Sequence, residues 1–280
     1  MTNAIEIQGL TKSFSGFTLD RLSLTLPSGC ILGLIGENGA GKSTTIKLLL
    51  GMIKPDAGSA KVLGVDISQD MKALREDIGV VLDEPGLPHN LSARMVNKIM
   101  RHIYKNWSSE EFFSLLRRLD MPEDKPYGEL SRGMKMKLGL TIALAHRPRL
   151  LLLDEATSGL DPVAREDVTE LLLEYTRDEG HSVLISSHIV SDLEKLCDYI
   201  AFLHKGKLML AEEKDVLAGD YGLVQCSLEA AERVEPSALI GRRDNPYGCQ
   251  LIVRRDAVPA GLEVGRVSIE ELFVFMVKER

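Results

Sequence analysis

The sequence predicts an α/β fold with a mainly parallel core sheet, and two patterns carry that prediction. Short apolar runs alternate with longer segments whose apolar residues recur at helical spacing. One of these runs leads into a glycine-rich loop and then a helix, the order found in phosphate-binding α/β domains. The expected core strands are residues 31–35, 78–82, 150–153, 183–186 and 199–203.

The bulk properties are those of an ordinary globular protein. With 280 residues, 44% apolar and 27% charged, the chain is long enough for one large domain or a domain with an appendage. The net charge of −7 and the lack of a dense basic block disfavour nucleic acid, so no nucleic-acid partner is expected. No secretory signal or membrane-spanning run is apparent, which favours a cytoplasmic location. The scattered cysteines, expected to be buried reduced thiols, are Cys30, Cys197, Cys226 and Cys249.

The segments outside the core strands have their own patterns. Residues 4–10 and 17–26 alternate in polarity and predict antiparallel strands beside the loop. Residues 91–130 are helical in pattern and predict a helical insertion. Its apolar residues at helical spacing are Ile99, Ile103, Phe112, Leu115, Leu116 and Leu119.

Two further helices are predicted from their end signals. Asp161 can cap a helix, Pro162 suits its first position, and Gly180 suits its exit. A last helix has a capping box of Ser268 and Glu271. Its apolar stripe, which we interpret as packing, is Ile269, Leu272, Phe273 and Met276. With a strand at 249–253, the end of the chain predicts a small α+β extension from about residue 215.

The glycine-rich loop has the pattern of a P-loop. Its residues are Gly36, Glu37, Asn38, Gly39, Ala40, Gly41, Lys42 and Ser43, and Thr44 continues into the helix. The glycines let backbone N–H groups face a phosphate, and the helix adds its positive N-terminal end. Lys42 is expected to reach the β- and γ-phosphates, and Ser43 to ligate the Mg²⁺ that accompanies the nucleotide.

A second motif, residues 150–155, is an apolar strand that ends in two carboxylates. Ligands bind at the carboxyl ends of strands in open α/β sheets. Asp154 is therefore expected to hold Mg²⁺, and Glu155 to act as general base on the attacking water. The alternative is a core strand that ends in a solvated acidic pair.

Three more segments complete an ordered set of motifs: Leu130-Ser131-Arg132-Gly133-Met134-Lys135, Ser158-Gly159-Leu160-Asp161 and Ser186-Ser187-His188. In this order and spacing, residues 4 to 210 resemble the nucleotide-binding subunit of an ATP-binding cassette (ABC) transporter. The resemblance implies a P-loop NTPase fold that uses ATP and Mg²⁺. It also implies a cassette domain at 1–214 with a helical subdomain at about 86–135, followed by an accessory region at 215–280.

The resemblance implies roles for particular residues. Two cassettes of this family, identical or related, close head to tail over two ATP molecules. Ser131 and Gly133 match residues that contact the γ-phosphate held by the other subunit, and Asp161 matches a loop that senses that site. His188 matches the switch histidine. Phe14 stands where an aromatic ring stacks on adenine, although a core role is equally open.

Two departures from the family pattern stand out. Arg132 and Met134 replace the first glycine and the glutamine of the L-S-G-G-Q signature. Asp83 stands where the family often has a glutamine that reaches Mg²⁺ and the water. A carboxylate can still ligate the metal but changes the local electrostatics.

The segment after Asp83 matches the part of the family that grips a helix of the membrane subunit. Leu87, Leu91 and Met95 either contribute to that groove or pack internally. The implied partner is an integral membrane permease, which would hold the chain on the inner face of the membrane.

The favoured function is therefore ATP hydrolysis that drives a separate permease. The acidic Asp83, the short tail and the ending at 269–273 are similar to subunits that export drugs, peptides or lipids. The alternative is a soluble cassette ATPase that acts on ribosomes or nucleic acid, but such relatives join two cassettes or insert long coiled coils. A small-molecule kinase would leave the signature and His188 unexplained.

Overall fold

The computed structural model describes residues 3–83 and 86–278, and these residues form three sheets and several helices. The strands are β1 (Asn3–Phe14), β2 (Phe17–Pro27), β3 (Ile31–Ile35), β4 (Ala57–Val62), β5 (Val65–Asp66), β6 (Ile78–Val81), β7 (Leu150–Asp154), β8 (Ser182–Ser187), β9 (Tyr199–His204), β10 (Lys207–Glu213), β11 (Tyr221–Cys226), β12 (Leu239–Asn245), β13 (Gly248–Arg254) and β14 (Val264–Gly265). The helices are α1 (Lys42–Leu49), α2 (Ala93–Ile103), α3 (Ser109–Arg118), α4 (Arg132–Leu144), α5 (Pro162–Tyr175), α6 (Val190–Leu196), α7 (Lys214–Asp220), α8 (Leu228–Ala231) and α9 (Ile269–Lys278). Within the described ranges, no helix has the length and apolar character needed to cross a membrane.

The central sheet has the strand order β10-β9-β3-β8-β7-β6. Its strands pair in parallel, except that β10 runs antiparallel to β9. All five predicted core strands are therefore confirmed, as is the parallel sheet. Alternate residues of β3 enter different cores, with Ile31 and Ile35 on one face and Leu32 and Leu34 on the other. Burial on both faces explains why these strands are continuous apolar runs.

The amino-terminal strands form an antiparallel sheet in the order β2-β1-β4-β5, as predicted. Leu19, Leu22 and Leu26 of β2 are fully buried and share one core with Leu32 and Leu34 of β3. This packing holds the start of β2 beside the loop between β3 and α1.

The helical insertion is present as α2 and α3, followed by α4. Four of its predicted apolar residues are buried: Phe112, Leu115, Leu116 and Leu119. Ile99 and Ile103 instead belong to an exposed apolar stripe on α2, together with Met95. Their side chains therefore do not contribute to the core of this chain.

The predicted capping of α5 is confirmed, but its predicted end is wrong. The Asp161 side chain accepts hydrogen bonds from the backbone N–H groups of Val163 and Ala164. The helix ends at Tyr175, before Gly180, because the backbone N–H groups change partners there: Thr176 still donates to Leu172, four residues back, but Arg177 donates to Glu174, three residues back. Gly180 lies in the following turn, where its N–H donates to Asp178.

The carboxy-terminal strands form a sheet in the order β12-β13-β11-β14, with a small core of its own. Helix α9 begins with the predicted capping box, since Ser268 and Glu271 exchange hydrogen bonds. Its stripe packs against the main core, where Phe273 lies 5.2 Å from Phe202 between ring centroids. The expected reduced thiols are present, but only Cys197 and Cys249 are buried, whereas Cys30 and Cys226 are partly buried because they lie at strand ends.

Candidate nucleotide site

The glycine-rich loop leaves the carboxyl end of β3 and turns directly into α1. Gly39 and Gly41 have φ angles of 82° and 113°, a region that disfavours other residues. A Cβ atom on Gly41 would lie 3.1 Å from both Phe17 and Leu19, so the β2 strand leaves no room for a side chain. The glycines therefore produce a tight loop whose backbone N–H groups are not covered by side chains, as an anion site requires.

Lys42 is buried at the start of α1, with 5% of its surface exposed. Its Nζ donates to the carbonyl oxygens of Gly36 at 2.7 Å and Glu37 at 3.2 Å. It also lies 3.1 Å from Oε1 of Glu155. A buried ammonium group needs such partners, and they hold this cation within the curve of the loop.

Asp154 and Glu155 lie at the carboxyl end of β7, as predicted. Glu155 has a φ of 54°, which is unusual for a side chain of this size and typical of functional sites. The Ser186 hydroxyl donates to Asp154 at 2.6 Å and accepts from the Glu155 N–H at 3.1 Å. Ser186 thus orients both acidic residues.

His188 and Glu155 are brought together by the ends of β8 and β7. Nδ1 of His188 lies 2.7 Å from Oε2 of Glu155, a residue that is only 8% exposed. Among the described residues, Oε1 of Glu155 has no hydrogen-bond donor, although Lys42 lies nearby at an angle unsuitable for a hydrogen bond. One carboxylate oxygen is thus held by the imidazole, and the other is buried beside the Lys42 ammonium group.

A cavity of about 450 Å³ lies between the glycine-rich loop, Lys42 and Glu155, whereas Asp154 and His188 do not line it. Its lining residues are Gly16, Phe17, Asn38, Gly39, Ala40, Gly41, Lys42, Ser43, Thr44, Asp83 and Glu155. The predicted adenine-stacking residue Phe14 is absent from this lining. Its half-exposed ring lies 6.5 Å from the Phe17 ring, centroid to centroid.

Sequence reasoning missed three residues of the site. Gly16 and Phe17 line the cavity, and Ser186 bridges the acidic pair. The sequence held a signal for Ser186, a hydroxyl residue at the end of an apolar run, but its pairing with Asp154 is seen only in the structure. Phe17 carried no signal that separates it from a core residue of β2.

The residues assigned to a second subunit lie outside the cavity, on the surface. Ser131 caps α4 by accepting a hydrogen bond from the Met134 N–H at 3.2 Å. Gly133 approaches Leu160, whose Cδ2 would lie 3.3 Å from a Cβ on Gly133. Asp161 is exposed, and hydrogen bonds from the Ala164 and Val163 N–H groups lower the pKa of its carboxyl group.

The donor set fits Mg²⁺. Ser43 lines the cavity, and Asp154 lies beside Glu155 at the strand end. Hydroxyl and carboxylate oxygens are the ligands that Mg²⁺ prefers, with substrate phosphates completing its shell. Asp83 instead forms an ion pair with Arg132, with Nη2 2.8 Å from Oδ1.

Comparisons with known sequences identify the relatives of this chain. Residues 19–158, half of the chain, match the family model described as ABC transporter. The bacitracin transport ATP-binding protein of Bacillus licheniformis is 37% identical over 213 residues, which cover 75% of this chain and 69% of the relative. The lantibiotic transport ATP-binding protein of Streptococcus pyogenes is 38% identical over 75% of this chain and 91% of the relative. An uncharacterised ABC transporter ATP-binding protein of Bacillus subtilis is 31% identical over 99% of this chain and 92% of the relative.

Solved structures show the same fold. An ATP-binding subunit of an ABC transporter superposes with a TM-score of 0.69 at 27% identity, covering 76% of this chain and 91% of that one. A dimeric cassette bound to ADP and Pi has a TM-score of 0.67 at 22% identity, covering 75% and 98%. With its fold, its P-loop and its sequence relatives in agreement, the chain belongs to the ABC transporter family as an ATP-hydrolysing subunit.

Proposed function

We propose that this chain hydrolyses ATP to drive a separate membrane permease that exports a drug, peptide or lipid. The observation that carries the proposal is the contact of Lys42, Glu155 and His188 at one edge of the central sheet. Lys42 and Glu155 line one cavity, and the His188 imidazole contacts Glu155, an arrangement that supports phosphate binding and hydrolysis there.

The chain's own residues would carry out hydrolysis as follows. The loop N–H groups and Lys42 bind the β- and γ-phosphates, which frees Lys42 from its present contact with Glu155. Glu155 then accepts a proton from the water that attacks the γ-phosphorus, and ADP leaves. His188 holds Glu155 through Oε2 and orients the carboxylate. Mg²⁺, which Ser43 and Asp154 would hold, neutralises charge on the phosphates when bound.

We assign the exposed signature segment to a second cassette, either another copy of this chain or a related one. Ser131, Gly133 and Asp161 belong to neighbouring surface segments that do not line this chain's own cavity. The N-terminus of α4 offers a hydroxyl and a positive helix end, a combination that suits a phosphate presented by a partner. Each site would then be completed only when two cassettes close.

We propose that the exposed stripe on α2 binds an apolar helix of the permease. Met95, Ile99 and Ile103 are 50%, 42% and 59% exposed and recur at a spacing of four residues. Ile103, at the end of the stripe, also lines a cavity of about 450 Å³. Leu87 and Leu91, by contrast, pack against the core. Docking here would hold the chain peripherally on the inner face of the membrane.

The chain divides into a cassette domain and an accessory region. We propose that residues 1–214 form the cassette, 86–135 its helical subdomain, and 215–280 an accessory region. Helix α4 continues past position 135 to Leu144, which ties the helical subdomain directly to the core.

The named relatives favour export over the alternative. They are transport proteins for bacitracin and for a lantibiotic. A role on ribosomes or nucleic acid gains no support from them.

Affinity purification of the tagged chain from its native membranes tests the proposal. An integral membrane protein should co-purify, and ATP turnover should accompany the complex. Co-purification with ribosomes in place of a membrane protein would contradict the transporter assignment.

A further inference from the structure

An acidic side chain stands at the rim of the nucleotide cavity. Asp83 follows β6 and lines the same cavity as Lys42, Ser43 and Glu155. Its carboxylate is 48% exposed, so it faces the solution through which a nucleotide enters. A negative charge here would repel the phosphates of an incoming nucleotide.

Among the described residues, Arg132 forms an ion pair with this carboxylate. Arg132, the first residue of α4, donates from Nη2 to Oδ1 of Asp83 at 2.8 Å. The Arg132 side chain packs against Gly159, and a Cβ atom on Gly159 would lie 3.1 Å from Cδ of Arg132. Gly159 has a φ of 74°, a conformation that favours glycine, and the Arg132 side chain occupies the space beside it. The absence of a side chain at Gly159 thus leaves the path along which Arg132 reaches Asp83.

We propose that Arg132 is a positioning residue that holds and neutralises Asp83, so that the cavity of the same chain accepts nucleotide without repulsion. The inference rests on the nucleotide site proposed above. It gives Arg132 a role within its own subunit, in addition to any contact that the signature segment makes with a second one. It also explains why the two departures from the family pattern occur together, since each charge compensates the other.

Equilibrium binding of a non-hydrolysable ATP analogue to the full chain, at concentrations that keep it monomeric, tests the inference. Arg132→Gln should weaken binding by about three- to tenfold, because Asp83 is left unpaired. Adding Asp83→Asn to that variant should restore the affinity to within about twofold of the natural chain, since the repelling charge is gone. The loss in the single variant should shrink in high salt, which screens charges near the surface.

Controls separate this inference from other roles of both residues. Arg132→Lys should bind nearly normally, and the charge exchange Asp83→Arg with Arg132→Asp should also recover most of the affinity. A double variant that binds no better than Arg132→Gln would overturn the inference, as would normal affinity in Arg132→Gln. Weaker binding by Asp83→Asn alone would also overturn it, since Asp83 would then act as a ligand. Failure of the natural chain to bind the analogue would instead contradict the nucleotide site itself.

Discussion

Glu155 combines a left-handed backbone with contacts to two charged or chargeable side chains. Its φ of 54° turns the carboxylate away from the direction of β7, toward Lys42 and His188. Such strain persists only where surrounding contacts hold it, and Ser186 provides two of them through its hydroxyl and carbonyl oxygens. The acidic position could be predicted from the sequence, because an apolar run ends there. Its backbone turn could not, since it depends on a strand 31 residues away.

Replacing Glu155 separates binding from chemistry. Glu155→Gln keeps the shape of the side chain but removes the base, so ATP should still bind while turnover falls by about 10²- to 10⁴-fold. Phosphate release measured beside nucleotide binding checks this. Near-normal turnover would remove Glu155 from the catalytic role.

Replacing Lys42 should act on binding itself. Lys42→Ala removes the buried cation within the loop and should weaken ATP binding by at least about tenfold, since charged hydrogen bonds are worth about 1.5–3 kcal/mol. Lys47→Ala is the matched control, because it removes the same charge from an exposed position on α1. Equal affinities of the two variants would count against the phosphate assignment.

At the scale of elements, helix ends and helix faces differ in how well the sequence predicts them. The caps of α5 and α9 could be predicted, because local side chains make them. The end of α5 could not, since Thr176 ends the helix without a glycine. The α2 stripe shows a second limit, because periodicity identifies an apolar face but not whether this chain or a partner covers it.

The cap of α4 offers a test with an internal control. Ser131 and Ser108 each cap a helix by accepting a hydrogen bond from an N–H three residues on. Alanine at either position should lower the free energy of unfolding by about 1 kcal/mol. Only Ser131→Ala should also impair ATP-dependent dimer formation, as measured by light scattering. Equal dimerisation of both variants would show that Ser131 is a cap alone.

The docking assignment belongs to α2. Ile99→Lys should abolish co-purification with the membrane protein, because a charge on the stripe cannot be buried against an apolar helix. Its ATP affinity should be unchanged, since Ile99 lies outside the nucleotide cavity. Leu173→Lys, an equally exposed leucine on α5, should leave co-purification intact. Retention of the membrane protein by Ile99→Lys would exclude this surface.

At the scale of the whole molecule, the strand order of the central sheet explains how residues distant in sequence form one site. The loop after β3 and the ends of β7 and β8 meet at one edge because these strands are parallel neighbours. The parallel sheet, the antiparallel amino-terminal strands and the acidic pair could all be predicted from local patterns. The ion pair of Asp83 with Arg132 could not, because its residues lie on segments 49 positions apart whose approach depends on tertiary packing.

The residues assigned to the nucleotide lie on two separate surfaces of the chain. One is the cavity around Lys42, and the other is the exposed signature segment at the start of α4. The central claim is that ATP brings these surfaces of two subunits together. Light scattering of the Glu155→Gln chain with and without ATP and Mg²⁺ tests it most directly. We expect the mass of one chain without nucleotide and of two chains with it. A chain that binds ATP fully yet keeps the mass of a monomer would contradict the account.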